Sequence, residues 1–312
     1  TLAAALTTGH LGVPLLLAIV FVLAVGWDIA WAVFMVAPPL VLAKRELFVA
    51  GGLGSILSVG TATGGYAGGA ALLYLVGPAG GATAYAALLV AAAVAAVPLA
   101  LRVDNPPGTG IVETFREGWR AFRGSAGRAL RSVAALEIFL GGFTALPPLL
   151  ITAIAYRNFA DPAAVYGLFV TVYALGGSAA GVVTGHYNPR RSIGLLMALG
   201  ALAAGLCVLG LLPTGSSELA VAALLGGAGA AVTVRFAARM AWTQGSFPPE
   251  ILGRMVSNLY LFTGAASTAA VIVVGGFAAG ISLTNLELVD GGGLLVGALL
   301  SWASPAVRSL AF

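Results

Sequence analysis

The sequence has very little charge for its length, since charged side chains make up only 8% of its 312 residues. A water-soluble domain carries about 25% charged residues, because its surface must be solvated. The single cysteine, Cys207, excludes a secreted scaffold held together by disulfide bonds. Intrinsic disorder is excluded as well, because 60% of the residues are hydrophobic. These absences leave an integral membrane protein.

Apolar stretches long enough to cross a bilayer follow one another along the chain. About 20 residues of apolar helix span the hydrocarbon core, and continuous apolar runs favour helices over a β-barrel, whose strands alternate in polarity. The sequence therefore predicts an all-α membrane protein, a bundle of about nine transmembrane helices. They are expected at 13–40, 47–77, 80–102, 132–156, 164–186, 191–213, 218–243, 254–280 and 291–307.

Basic residues divide unevenly between the two sets of loops that these spans define. If the spans alternate in direction, 14 of the 15 basic residues lie toward one side, and Arg157 lies on the other. The positive-inside rule then predicts a cell-membrane protein with its N-terminus outside and its C-terminus in the cytoplasm. The outer side is expected to carry four acidic residues, which are Asp161, Glu218, Glu287 and Asp290.

One long polar segment, 103–131, divides the chain. Its aromatic and arginine side chains recur on adjacent stripes at helical spacing, which predicts an amphipathic linker in the cytoplasmic interface. Residues 1–102 form a partial N-terminal half of three spans, and residues 132–312 form a C-terminal half of six. Transporters are often built from two six-helix halves, so we expect three helices to be missing at the front. A processed or incompletely represented N-terminus is the alternative.

Six glycines in the second span follow a fixed spacing, G-x8-G-x3-G-G-x2-G-G. They are Gly51, Gly60, Gly64, Gly65, Gly68 and Gly69. Such glycines let a neighbouring helix pack closely. The string resembles the antiporter signature in the fifth helix of the major facilitator superfamily, with Gly65 in place of the signature's proline. Four further segments are similar to loops and the central linker of the family's drug and siderophore exporters, at 38–53, 115–139, 181–196 and 247–264.

The resemblance implies a major facilitator fold that lacks the family's first three helices. It also implies a secondary active transporter, an exporter of small hydrophobic or amphiphilic molecules by alternating access, with proton coupling as a further possibility. The alternative is a non-transporting scaffold or accessory subunit of a larger membrane complex. The expected partners are the lipid bilayer, a small-molecule substrate and a partner chain or missing helices beside the N-terminal half. No enzyme activity, cofactor, metal or nucleic acid is expected.

Four charged residues are candidates for coupling or substrate contact. Asp28 lies in the middle of the first span, where an ionisable group is costly and therefore a functional hypothesis; the alternative is a hydrogen-bonded structural carboxyl. Glu137 is expected either to face the cavity or to pair with a cytoplasmic arginine such as Arg131. Arg235 and Arg239 could bind an anionic substrate, close a cytoplasmic gate or reach lipid phosphates.

Three further arginines are expected at the cytoplasmic ends of helices. Arg190, Arg191 and Arg254 are interpreted as cytoplasmic gate and orientation charges. The two histidines each lie without metal-ligand company in the sequence, so no metal site is expected.

Overall fold

The structure is a computed structural model, and it describes the C-terminal part of the chain most fully. The described residues are 127–186, 193–214, 217–247, 249–277 and 280–310, together with scattered positions between 75 and 120. The predicted domain 1–102 therefore lies almost wholly outside them, as does most of the linker 103–131.

The described part of the chain is almost entirely helical and contains no strand. Eight helices follow one another: α1 (Gly127–Thr144), α2 (Pro147–Asn158), α3 (Pro162–His186), α4 (Ile193–Leu209), α5 (Glu218–Ser246), α6 (Pro249–Phe277), α7 (Leu283–Ala303) and α8 (Pro305–Arg308).

Five helical stretches in this part are long and apolar enough to cross a membrane. They are Arg131–Asn158, Pro162–Thr184, Glu218–Ser246, Asn258–Gly276 and Leu283–Ala303. Helix α4 is apolar as well but shorter. These stretches indicate a helical membrane protein. The predicted total of nine spans is not tested by them.

The first of these stretches is interrupted between α1 and α2. Pro147 and Pro148 occupy the first turn of α2, where the missing N–H of proline costs little. Across the break, the Leu146 N–H donates to the Phe143 carbonyl at 2.9 Å. The chain thus bends at the prolines and continues as one span.

Helix α7 begins eight residues before the position predicted for the last span. Ser282 caps it, because its hydroxyl accepts from the Asn285 N–H at 3.1 Å. Glu287 and Asp290 consequently lie inside this helix, and both are buried. The predicted start of the last span at residue 291 was wrong, because both acids belong to the helix.

Small residues bring the backbones of α3 and α5 into close contact. A methyl group added at Gly176 of α3 would meet the backbone carbonyl of Gly226, and one at Gly229 of α5 would meet that of Tyr173. Neighbouring helices in membranes approach in this way through glycine and alanine. Among the described helix pairs, α3 and α5 are in contact over the greatest length.

The helix contacts have an internal regularity. Five contacts show it. Helix α5 packs on α3 and on α4, helix α1 packs on α6 and on α7, and α4 packs on α7. The first triplet of spans is α1 with α2, then α3, then α4, and the second is α5, α6 and α7. When each member of one triplet is exchanged for the corresponding member of the other, the α3–α5 contact becomes α1–α6, the α4–α5 contact becomes α1–α7, and the α4–α7 contact is unchanged. The two triplets therefore take equivalent places in the bundle.

Candidate functional site between helices α1, α5 and α6

Glu137 of α1 joins two arginines of α5 in a buried network. Arg235 Nη2 donates to Glu137 Oε1 at 2.5 Å, and Arg239 Nη1 donates to Glu137 Oε2 at 2.8 Å. Each carboxylate oxygen thus receives a hydrogen bond from its own guanidinium. The relative exposure is 1% for Glu137, 5% for Arg235 and 7% for Arg239, so the network lies inside the protein.

The positions of the two arginines follow from helix geometry. Residues four apart lie on the same face of a helix, so Arg235 and Arg239 both point toward α1. Gly200 of α4 gives the first of them room, since a methyl group there would lie 2.8 Å from Arg235 Cβ. Helices α1 and α5 are not among the closely packed pairs. Long side chains therefore bridge the space between them.

Tyr260 brings α6 into the same network. Arg239 Nη2 donates to the Tyr260 hydroxyl at 2.6 Å. The Arg239 Cζ atom also lies 4.9 Å from the centroid of the Phe236 ring and 5.1 Å from that of Tyr260, within the range of cation–π attraction. Two aromatic rings and a hydroxyl therefore hold this guanidinium in one orientation.

The network has more positive than negative charge and more hydrogen-bond donors than acceptors. Two guanidinium groups face one carboxylate, which leaves a net charge of +1. Within the network, Arg235 Nε is a buried donor without an acceptor among the described residues. A buried charge is costly unless it is paired. The network is therefore suited to receive an additional acceptor, such as an anionic group.

The structure describes some of the predicted site residues and not others. Glu137, Arg235 and Arg239 are brought together, and the partners of Glu137 come from α5, a distant part of the chain. Arg254 lies in α6, where only its backbone is described. The remaining candidates lie outside the described residues: Asp28, Gly51, Gly60, Gly64, Gly65, Gly68, Gly69, Arg190 and Arg191.

Half-buried Tyr260 and buried Asp290 were not among the sequence candidates. Tyr260 lies in a run of apolar residues and gives no sign there of its arginine partner. Asp290 was assigned to a loop, although the serine cap at Ser282 was a readable signal that a helix begins before it. Among the described residues, no three His, Cys, Asp or Glu side chains group as metal ligands.

No family model, curated protein or solved structure matches this chain. Inference about its function therefore rests on its own residues and their geometry.

Proposed function

We propose that the chain is a secondary active transporter of the major facilitator type, which moves small hydrophobic or amphiphilic molecules by alternating access. In this proposal, residues 132–312 form its C-terminal half. The network of Glu137, Arg235 and Arg239 is the site at which this half contacts substrate or a coupled proton. The resemblance of the glycine string Gly51–Gly69 and of the loop segments to that family is in keeping with this assignment.

The exchange of the two helix triplets is the observation that carries the proposal. Each six-helix half of a major facilitator transporter contains two three-helix repeats of inverted topology. In the described bundle, the contacts of α1, α3 and α4 are reproduced by those of α5, α6 and α7. If each triplet crosses the membrane three times, the second triplet starts on the opposite side of the membrane from the first. An inverted repeat requires this arrangement.

The location of the charges supports a role at the substrate site. Helices α1 and α5 take equivalent places in the two triplets, and the Glu137 carboxylate joins them through both arginines. Ionisable groups within a membrane are costly and mark transport pathways or proton relays. A proton on Glu137 would raise the net charge of the network from +1 to +2, which favours an anionic group on the substrate.

The orientation belongs to the same proposal. The C-terminus would lie in the cytoplasm, since 14 of the 15 basic residues fall toward one side when the spans alternate. Fusion of a reporter enzyme after residue 312, active only in the cytoplasm, tests this assignment.

Substrate flux tests the proposed function. The full chain is reconstituted in proteoliposomes, a pH gradient is imposed in either direction, and the movement of ethidium and fluorescein is followed. These two dyes represent cationic and anionic amphiphiles. We expect faster movement of at least one dye than in protein-free vesicles under the same gradients. Protein-free rates for both dyes, under both gradients, would contradict the proposal and favour the scaffold alternative, which a copurifying membrane partner would support.

A further inference from the structure

Asp290 is a fully buried carboxyl on α7, a helix that contributes no hydrogen bond to the arginine network. Its relative exposure is 0%, and neither Oδ1 nor Oδ2 has a hydrogen-bond partner among the described residues. It lies in α7, which packs on α4 and α1. This is a different arrangement from that of Glu137, both of whose oxygens accept bonds from arginines.

The residue next to Asp290 lies where helices α4 and α7 pack tightly. A methyl group added at the next residue, Gly291, would lie 2.7 Å from Leu209 Cγ and 3.1 Å from the Gly205 carbonyl. Conversely, a methyl group at Gly205 would lie 2.9 Å from the Gly291 carbonyl. The backbones of α4 and α7 are therefore in direct contact at this level. Asp290, one residue before this contact, is shielded from solvent, since its relative exposure is 0%.

The titratable groups on the surrounding helices do not compensate a negative charge at Asp290. Tyr173 of α3 lies near Asp290, but a tyrosine side chain carries no positive charge. Glu287, one turn earlier on α7, is also acidic. The other titratable or charged side chains that the structure describes on the helices packed against α7 are Arg131, Glu137, Tyr156, Arg157, Cys207 and Arg308. None of them bonds to either oxygen of Asp290.

We infer that Asp290 is a proton-binding site, occupied in this conformation and separate from the Glu137 network. An isolated ionised carboxylate in an apolar environment is so costly that the group takes up a proton instead. The neutral acid removes that cost, and the complete burial of Asp290 leaves the carboxyl without water that could solvate a charge. The inference goes beyond the proposed function and does not depend on it.

Infrared spectroscopy of the purified full chain tests the inference directly. A protonated carboxyl has a carbonyl stretching band that is distinct from the carboxylate bands and shifts in deuterated water. We expect such a band at neutral pH in protein labelled with ¹³C-aspartate, shifted relative to unlabelled protein. The band is expected to disappear in Asp290→Asn. The exposed Asp161→Asn serves as the matched control and should keep it.

Three results would overturn the inference. The first is a labelled wild-type protein without any protonated aspartate band. The second is a band that is lost in Asp28→Asn but kept in Asp290→Asn. The third is a carboxylate band of Asp290 that responds to Na⁺, which would make a cation the occupant. If Asp290→Asn fails to fold, a band that persists in each of Asp28→Asn, Asp104→Asn and Asp161→Asn belongs to Asp290, the remaining aspartate of the chain, and a band lost in any one of the three overturns the inference. Dye flux plays no part in the measurement, so its outcome is distinct from that of the transport test.

Discussion

Glu137 and Arg239 are 102 residues apart in the chain, yet Arg239 Nη1 donates to Glu137 Oε2 at 2.8 Å inside the bundle. Their helices, α1 and α5, begin the two equivalent triplets. Arg235 completes the arrangement from one turn away. The predictions below follow from the charges, hydrogen bonds and close contacts of this part of the fold.

Removal of the carboxylate should be strongly destabilising. Glu137→Gln leaves two buried guanidinium groups without a counter-charge, and breaking a buried ion pair in this way costs about 3–5 kcal/mol. We expect a clear fall in the midpoint of thermal unfolding of the purified protein in detergent. Glu218→Gln, at the exposed start of α5, is the matched control and should leave the midpoint unchanged. Equal midpoints for the two variants would contradict the assignment.

Removal of one arginine should be tolerated better than removal of the glutamate. Arg235→Gln leaves one guanidinium facing one carboxylate, so the net charge of the network falls from +1 to zero. We therefore expect Arg235→Gln to unfold at a higher temperature than Glu137→Gln in the same assay. The reverse order would show that the excess positive charge is neutralised by another group, and it would count against an anion-receiving site.

The Tyr260 hydroxyl should contribute separately from its ring. Tyr260→Phe removes the bond from Arg239 Nη2, and a hydrogen bond to a charged group contributes about 1.5–3 kcal/mol. The phenyl ring remains for the cation–π contact. We expect a loss of stability for Tyr260→Phe in a wild-type background and little further loss in an Arg239→Gln background. Additive losses in the double variant would show that the two side chains are not coupled.

Close packing of α3 on α5 should make Gly176 intolerant of a side chain. A methyl group there meets the Gly226 carbonyl, and overpacking of this kind costs about 1–3 kcal/mol. Gly167 of the same helix has nothing within 4 Å of the added carbon. We therefore expect Gly176→Ala to lower the midpoint of thermal unfolding and Gly167→Ala not to lower it. A loss of equal size in both variants would mean that helix contact is not the cause.

The sequence predicts the helices of this part of the fold better than it predicts their partners. The span expected at 164–186 corresponds closely to α3 (Pro162–His186), because apolar length alone defines it. The span expected at 291–307 was misplaced relative to α7, since Glu287 and Asp290 were interpreted as loop charges. Burial inside a helix bundle can accommodate such acids, and hydropathy does not register that environment.

For the candidate site too, the sequence identifies the residues but not which of them pair. Glu137, Arg235 and Arg239 are unusual in apolar spans, so the sequence identifies each of them as a candidate. Their pairing depends on how α1 and α5 face one another across about a hundred residues, for which a single sequence has no local signal. The i, i+4 spacing of the two arginines indicates only that they share a face.

Gradient-driven flux through a charge-balanced variant tests the central claim most directly. The double variant Glu137→Gln with Arg235→Gln keeps the net charge of +1, carried by Arg239, and its circular dichroism spectrum and elution from a sizing column establish that it is folded before flux is measured. In proteoliposomes with a pH gradient, we expect dye accumulation by the wild type and by Glu218→Gln. In the double variant we expect that accumulation to be lost. Accumulation in the double variant at the wild-type rate would contradict the assignment of this network as the substrate and coupling site.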